Sequence, residues 1–330
     1  MDICLEARDH FARGTNRFAQ GDFGAALGDF DRALEIDTHY PEAWNNRGAT
    51  HLALGDRAEA LADFDRALEI HPCYAEAFYN RGFVRQLMGD QAGALADFDR
   101  AVEIHPCYPD ALSSRGAVRQ SLGDSDGAIR DFDRALELRP DDPDTLFRRG
   151  SVRQGRGDYH GAIDDFTHVL GLMPHTAAAP IYHDRGAVRI SLREFAAAVA
   201  DFDRAIEINP GYCIAHISRG NARYHLRSPA ALADYLTAFQ IDPQRTASEI
   251  VRILTAGFRE DPEGVLENCR RHVKICPDDI VAYARRGLTL LLQGNDEQAV
   301  LDFEQVVQRR PDWKENLQLL IETARLERAR

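Results

Sequence analysis

The segment 69–74 reads EIHPCY and recurs letter for letter at 103–108, so His71 and Cys73, then His105 and Cys107, stand two residues apart in each copy. Imidazole and thiolate are zinc ligands, and two such pairs have the composition of a closed tetrahedral site. Spacing argues against it. If the copies are successive structural units, equivalent atoms lie roughly 8–10 Å or more apart, whereas zinc ligands sit about 2.0–2.3 Å from the metal. A Cys73–Cys107 disulfide meets the same objection, because bridged Cα atoms lie within about 7 Å. The six cysteines form no C-x-x-C pair, and Cys269 and Cys276, seven apart on one helix, read as buried or partly buried thiols. The GRG at 155–157 follows a helical pattern instead of a strand and matches no phosphate-loop signature, so it reads as a turn. The sequence has no nucleophile elbow, H-E-x-x-H or His/Asp/Ser grouping. Neither catalysis nor a metal or other cofactor is expected.

The elements that would position these residues follow from length and period. With 330 residues, 44% of them hydrophobic, the chain exceeds an ordinary single core, so two domains or a repeat array is expected. A formal charge of −13 disfavours nucleic acid and anionic membrane and favours a neutral or basic partner. The start, MDICLEARDHFARG, is not a secretory signal. No run approaches the roughly 18 apolar residues that span a bilayer, so a cytoplasmic location with reduced thiols is expected.

Pro72, Pro106, Pro140 and Pro174 are spaced by 34, and Pro210, Pro243, Pro277 and Pro311 continue the series at 36, 33, 34 and 34. Each period reads as two helices. Gly21-Asp22, Gly55-Asp56, Gly89-Asp90, Gly123-Asp124 and Gly157-Asp158 mark the turn between them: glycine relieves the turn, and aspartate caps the next helix. A proline then stops the second helix. Gly14, Gly48, Gly82, Gly116, Gly150, Gly186, Gly220 and Gly287 on first helices face Ala26, Ala60, Ala94, Ala128, Ala162, Ala198, Ala231 and Ala299 on second helices. Phe30, Phe64, Phe98, Phe132, Phe166, Phe202, Tyr235 and Phe303 fill the adjoining core. EIHPCY is therefore the end of one copy. Arg13, Arg47, Arg81, Arg115, Arg149, Arg185, Arg219 and Arg286 keep step with Asp29, Asp63, Asp97, Asp131, Asp165, Asp201, Asp234 and Asp302, which suggests an ion pair stitching each hairpin. As exposed pairs these are worth about 0–1 kcal/mol each and would fix geometry more than stability.

The 34-residue helical hairpin, with Trp44, Phe78, Leu112 and Leu146 four before the glycine and then Gly, Ala, Phe, Ala and Pro in order, resembles the tetratricopeptide repeat. The resemblance covers 7–313 as nine units and implies an all-α, right-handed superhelical solenoid. Residues 1–6 form a lead-in, 7–176 repeats one to five, 177–313 repeats six to nine, and 314–330 a capping helix with Leu317, Leu320, Ile321 and Ala324 on one face. The eighth repeat, 246–279, is degenerate: Ile253 and Cys269 replace glycine and aromatic, and Asp261-Pro262 marks its second helix. Two extra residues in 173–182 break the phase.

The resemblance further implies ligand binding in the concave groove lined by first helices. That carries over to Tyr40, Tyr74 and Tyr108; to Glu42, Glu76, Asp110 and Asp144; to Gln86, Gln120 and Gln154; and to Asn45, Asn46, Tyr79, Asn80, Phe83, Leu87, Ser113, Ser114 and Arg148. Each column has a plainer reading. Acidic residues in a first turn stabilise the helix dipole anywhere, and the tyrosines can simply pack between units. Together they suit an extended peptide. Lys274 and Lys314, the only lysines, lie outside the first five units, so the groove does not resemble the subclass that clamps acidic C-termini. A non-catalytic scaffold or adaptor holding a protein or peptide is expected, with self-association left open. A regulator whose solenoid changes pitch on binding a peptide is the second reading; RNA binding and a metal enzyme on the HPCY pairs stand behind it.

Overall fold

The computed structural model describes residues 3–226, 228, 230–243, 246–247, 251, 262–275, 277–278 and 280–329. It divides into two compact units, Met1–Leu172 and Met173–Arg330, so the division falls in the segment where the period slips. The first unit holds α1 (Ile3–Ala19), α2 (Phe23–Ile36), α3 (Pro41–Leu54), α4 (Arg57–Ile70), α5 (Ala75–Leu87), α6 (Gln91–Ile104), α7 (Pro109–Ser121), α8 (Ser125–Leu138), α9 (Pro143–Gly155) and α10 (Tyr159–Leu172). These are five antiparallel hairpins. The second unit holds α11 (Ala179–Ser191), α12 (Phe195–Ile208), α13 (Cys213–His225), α14 (Ala231–Ile241), α15 (Pro262–Ile275), α16 (Ile280–Leu292), α17 (Asp296–Arg309) and α18 (Lys314–Ala329), with 3-10 turns at His175–Ala177 and Pro311–Trp313. Among the described residues there is no strand. Residues 3–6 of the expected lead-in are the first turn of α1.

The hairpin turns form as their residues dictate. Gly89 takes φ +83°, the left-handed region that a side chain resists, and the Asp90 carboxylate accepts from the Gly93 N–H at 2.9 Å. The GRG turn is of the same kind: Gly157 has φ +82° and Asp158 accepts from the Gly161 N–H at 3.1 Å. In the sixth repeat the turn reads Leu192-Arg193-Glu194, and Arg193 takes φ +61° without being glycine. Close approach of the helices explains the small-residue column. A Cβ on Gly116 would lie 2.8 Å from Phe132 Cε1, and that ring is fully buried. The aromatic column is core throughout, with Phe30, Phe64, Phe98, Phe132, Phe166 and Phe202 all at 0% exposure.

The Arg–Asp column departs from expectation. Its aspartates are only 2–4% exposed, so these are not surface pairs. Asp131 accepts two bonds from Arg115, at 3.0 and 2.6 Å, and a third from Arg119 at 2.8 Å. Arg115 also donates to Asp99 of the preceding hairpin at 2.9 Å. Arg47–Asp31, Arg81–Asp65 and Arg149–Asp133 repeat that link in the first unit, and Arg219–Asp203 repeats it in the second. One guanidinium thus closes its own hairpin and fastens it to the previous one. A buried carboxylate holding two arginines is a constraint of several kcal/mol when broken, well above the surface figure.

In the segment expected to be a degenerate repeat, Cys269 is buried on α15, as are Leu266 and Val273. Ile253, Asp261 and Cys276 lie outside the described residues. Helix α18 buries Leu317, Leu320 and Ala324, with Ile321 packed alongside.

Candidate functional site

Within the first unit, first helices touch first helices: α1 meets α3, α3 meets α5, α5 meets α7 and α7 meets α9. They therefore form the inner side of the stack, and the side chains they present inward define a groove. A cleft of about 430 Å³ opens there across α5, α7 and α9, lined by Tyr79, Phe83, Gln86, Leu87, Asp110, Ser113, Ser114, Ala117, Asp142, Asp144 and Arg148. Its volume is in the range of small-ligand sites.

The cleft has two characters. Phe83 and Leu87 lie one turn apart at the C-terminal end of α5, are 38% and 46% exposed, and stand opposite Ala117, so this end is apolar. The other end is polar, formed by the first turns of α7 and α9. There Asp110 pairs with Arg139, and Asp142 caps α9 by accepting from the Thr145 N–H at 3.0 Å and from its hydroxyl. Ser113 exchanges a hydrogen bond with Thr145 at 2.8 Å. Asp144 and Arg148, both exposed, lie four apart on α9 and face the opening.

Of the residues singled out from sequence, Tyr79, Phe83, Gln86, Leu87, Asp110, Ser113, Ser114, Asp144 and Arg148 meet in this cleft. The others lie elsewhere. Tyr40, Tyr74 and Tyr108 precede α3, α5 and α7, half-buried: Tyr40 packs 4.9 Å from Phe11 and Tyr108 5.2 Å from Tyr79, between ring centroids. Burial pushes the Tyr74 and Tyr108 phenols above their ordinary range, with the Glu76 charge adding in the same direction. Burial also raises Tyr79, against a hydrogen bond with Ser114. Asn45 departs from the groove expectation. It is 1% exposed, accepts from Asn80 at 2.9 Å and donates to Glu76 at 3.4 Å, so its amide joins consecutive repeats and is closed to a ligand. Glu42 and Gln120 are exposed and Gln154 half-buried outside the cleft. Asp142 and Ala117 were not anticipated. Asp142 was legible as the capping residue before Pro143, and Ala117 as the position one turn beyond Ser113.

In the second unit, His183 Nδ1 lies 3.1 Å from Asp184 and Nε2 3.1 Å from the Ser218 hydroxyl, the spacing of a nucleophilic triad. Ser218 sits inside α13, where backbone N–H groups serve the helix, so this backbone offers no oxyanion donors. The contact spans 35 residues, as Asn45–Asn80 does, and is the same inter-repeat rung with different side chains. A second, more open cleft of about 600 Å³ lies between α17 and α18, with Val300, Val307, Leu317 and Ile321 in its wall. Among the described residues no group of three His, Cys, Asp or Glu side chains could hold a metal ion, and no helix is long and apolar enough to cross a membrane. The thiols of Cys73 and Cys107 are exposed; those of Cys213 and Cys269 are buried.

Profiles described as tetratricopeptide repeat match residues 41–72, 76–106, 114–175, 179–212 and 280–312, and one described as TPR repeat matches 14–55. No protein in the curated set matches the sequence. Solved structures of similar shape include YrrB, described as a TPR protein with an unusual peptide-binding site, at 24% identity and TM-score 0.52 over 56% of this chain and 95% of that one. A tetratricopeptide repeat protein from Parabacteroides merdae aligns at 20% identity and TM-score 0.52 over 72% and 94%. PilF of Pseudomonas aeruginosa aligns at 16% identity and TM-score 0.58 over 67% and 99%. At these identities the likeness establishes the fold alone. With matched segments spread from residue 14 to residue 312 and the hairpin architecture behind them, the chain belongs to the tetratricopeptide repeat family.

Proposed function

We propose that the chain is a non-catalytic scaffold or adaptor that holds an extended peptide segment of a partner protein against the inner face of repeats three to five. The observation that carries this is the cleft across α5, α7 and α9, where exposed Phe83 and Leu87 stand beside Gln86, Ser114, Asp144 and Arg148. Apolar side chains supply area and the polar groups can orient a backbone. The description of YrrB as peptide-binding is consistent with this use of the fold. Ordering an extended segment costs about 2–5 kcal/mol, so several repeats must engage together.

The test is affinity capture from the native lysate with wild type and with Phe83→Asp/Leu87→Asp, whose exposed positions leave the hairpin packing intact. A protein retained by wild type and lost by a variant of unchanged helicity supports the groove. Equal retention by both moves the site elsewhere, with the cleft between α17 and α18 the next candidate.

A further inference from the structure

Resting on that groove reading, we infer that the bound segment is basic and apolar: it places Lys or Arg side chains against Asp110 and Asp144 and a large apolar side chain against Phe83 and Leu87. The cleft is polarised along its first helices. Its apolar end is built by the last turn of α5, and its acidic end by the first turns of α7 and α9. Arg139 answers part of this charge by pairing with Asp110, and each helix N-terminus offsets about half a unit more, while Asp142 adds a third carboxylate to the lining. The acidic row nevertheless extends beyond the cleft, since Glu42 and Glu76 occupy on α3 and α5 the first-turn position that Asp110 and Asp144 occupy on α7 and α9. All four are exposed. The same row acts on its neighbours, for Glu76 adds to the upward displacement of both Tyr74 and Tyr108.

Rung spacing sets the pattern of the ligand. Packed neighbouring helices are roughly 8–10 Å apart, and an extended chain advances about 3.3–3.6 Å per residue. Successive carboxylates therefore face every third residue. A segment with Lys or Arg at positions i and i+3, and an apolar residue within reach of Phe83, satisfies both ends of the cleft at once. An acidic segment would meet only Arg148 as an uncommitted cation among the residues that line it.

The experiment is selection of a random twelve-residue display library on the immobilised 330-residue protein, followed by affinities of the recovered peptides for three variants: Phe83→Ala/Leu87→Ala, Asp110→Asn/Asp144→Asn and, as control, Glu137→Gln on the exposed face of α8. Circular dichroism confirms that each retains its helices. Expected is enrichment of paired Lys or Arg with a large apolar residue, loss of binding on Phe83→Ala/Leu87→Ala, weakening of about tenfold on Asp110→Asn/Asp144→Asn, and no change on the control. Acidic or uncharged peptides that still require Phe83 and Leu87 overturn the basic assignment and leave the groove standing. Peptides indifferent to Phe83 and Leu87 overturn the groove and this inference together, as does a selection that enriches nothing.

Discussion

Replacing Asp131 by asparagine tests whether the arginine–aspartate column is a structural constraint or a decoration. The carboxylate is 3% exposed and receives three charge-assisted bonds from Arg115 and Arg119. Asparagine keeps the shape, removes the charge, and turns two donor hydrogens toward guanidinium groups that can only donate. Breaking a buried pair by removing one partner costs about 3–5 kcal/mol. Two features reduce the figure: Arg115 keeps its bond to Asp99, and the Arg115 and Arg119 side chains are 15% and 23% exposed and can regain water. We expect a loss of about 2–3 kcal/mol. The matched control is Glu137→Gln, which removes an exposed i,i+3 pair with Arg134 on the same helix and should cost under about 0.5 kcal/mol. Urea titrations followed by far-ultraviolet circular dichroism, with hydrogen exchange to localise the opening because arrays unfold repeat by repeat, measure both. Equal losses for the two variants would refute the reasoning and return the column to the surface-pair estimate.

Three further outcomes follow from the packing and the charges. Gly116→Ala places a methyl 2.8 Å from a buried ring and should destabilise by about 1–3 kcal/mol, read as a lowered denaturation midpoint; a neutral result would mean that Phe132 can move. Arg193→Gly relieves a left-handed backbone at the sixth hairpin turn and should stabilise by about 1 kcal/mol, read as slower exchange in α11 and α12. The Arg13 guanidinium, bonded to Asp29, holds that carboxyl below its ordinary range. A depressed folded-state value gives stability that is complete above about pH 4 and lost as pH falls through the folded value. Exchange in α1 and α2 should therefore accelerate on acidification below about pH 4, and the same profile in Asp29→Asn would remove that carboxyl from the account.

The fold was legible because its determinants are local and repeated: a glycine whose absent side chain admits Phe132, a glycine–aspartate turn, a proline stop. Each recurrence is an independent reading of one rule, so eight copies of a weak signal become a strong one. What stayed hidden is relational. Burial of Asp131 depends on how one hairpin sits against the next, and the second bond of Arg115 runs to Asp99, sixteen residues upstream in the preceding repeat. The pairing of Arg115 with Asp131 was plain from the lockstep of the two columns, but a column of charged residues does not announce its solvent exposure. Asn45 shows the same limit at the groove. Helical spacing assigned it to the same face as Phe83, yet on α3 that position is buried against Asn80 and Glu76, whereas on α5 Phe83 is in the open.

On the proposed groove reading, that contrast is how a regular array would acquire one particular site. A ladder of inter-repeat contacts (Asn45–Asn80, Ser113–Thr145, His183–Ser218) uses up the polar groups nearest the helix junctions, and the tyrosines before α3, α5 and α7 are consumed by packing. Specificity then falls to positions the ladder leaves free. On α5 these are Phe83 and Leu87, where α7 carries Ala117 and Ser121 at the same register. Large residues beside small ones make relief in an otherwise even surface, and relief is what a peptide side chain can recognise. Exchanging Phe83 with Ala117 and Leu87 with Ser121 would keep composition, charge and helix count while moving the apolar end of the cleft by one repeat. A ligand that reads the relief should shift its contacts by one rung or dissociate, whereas one held by the scaffold's general acidity should not respond.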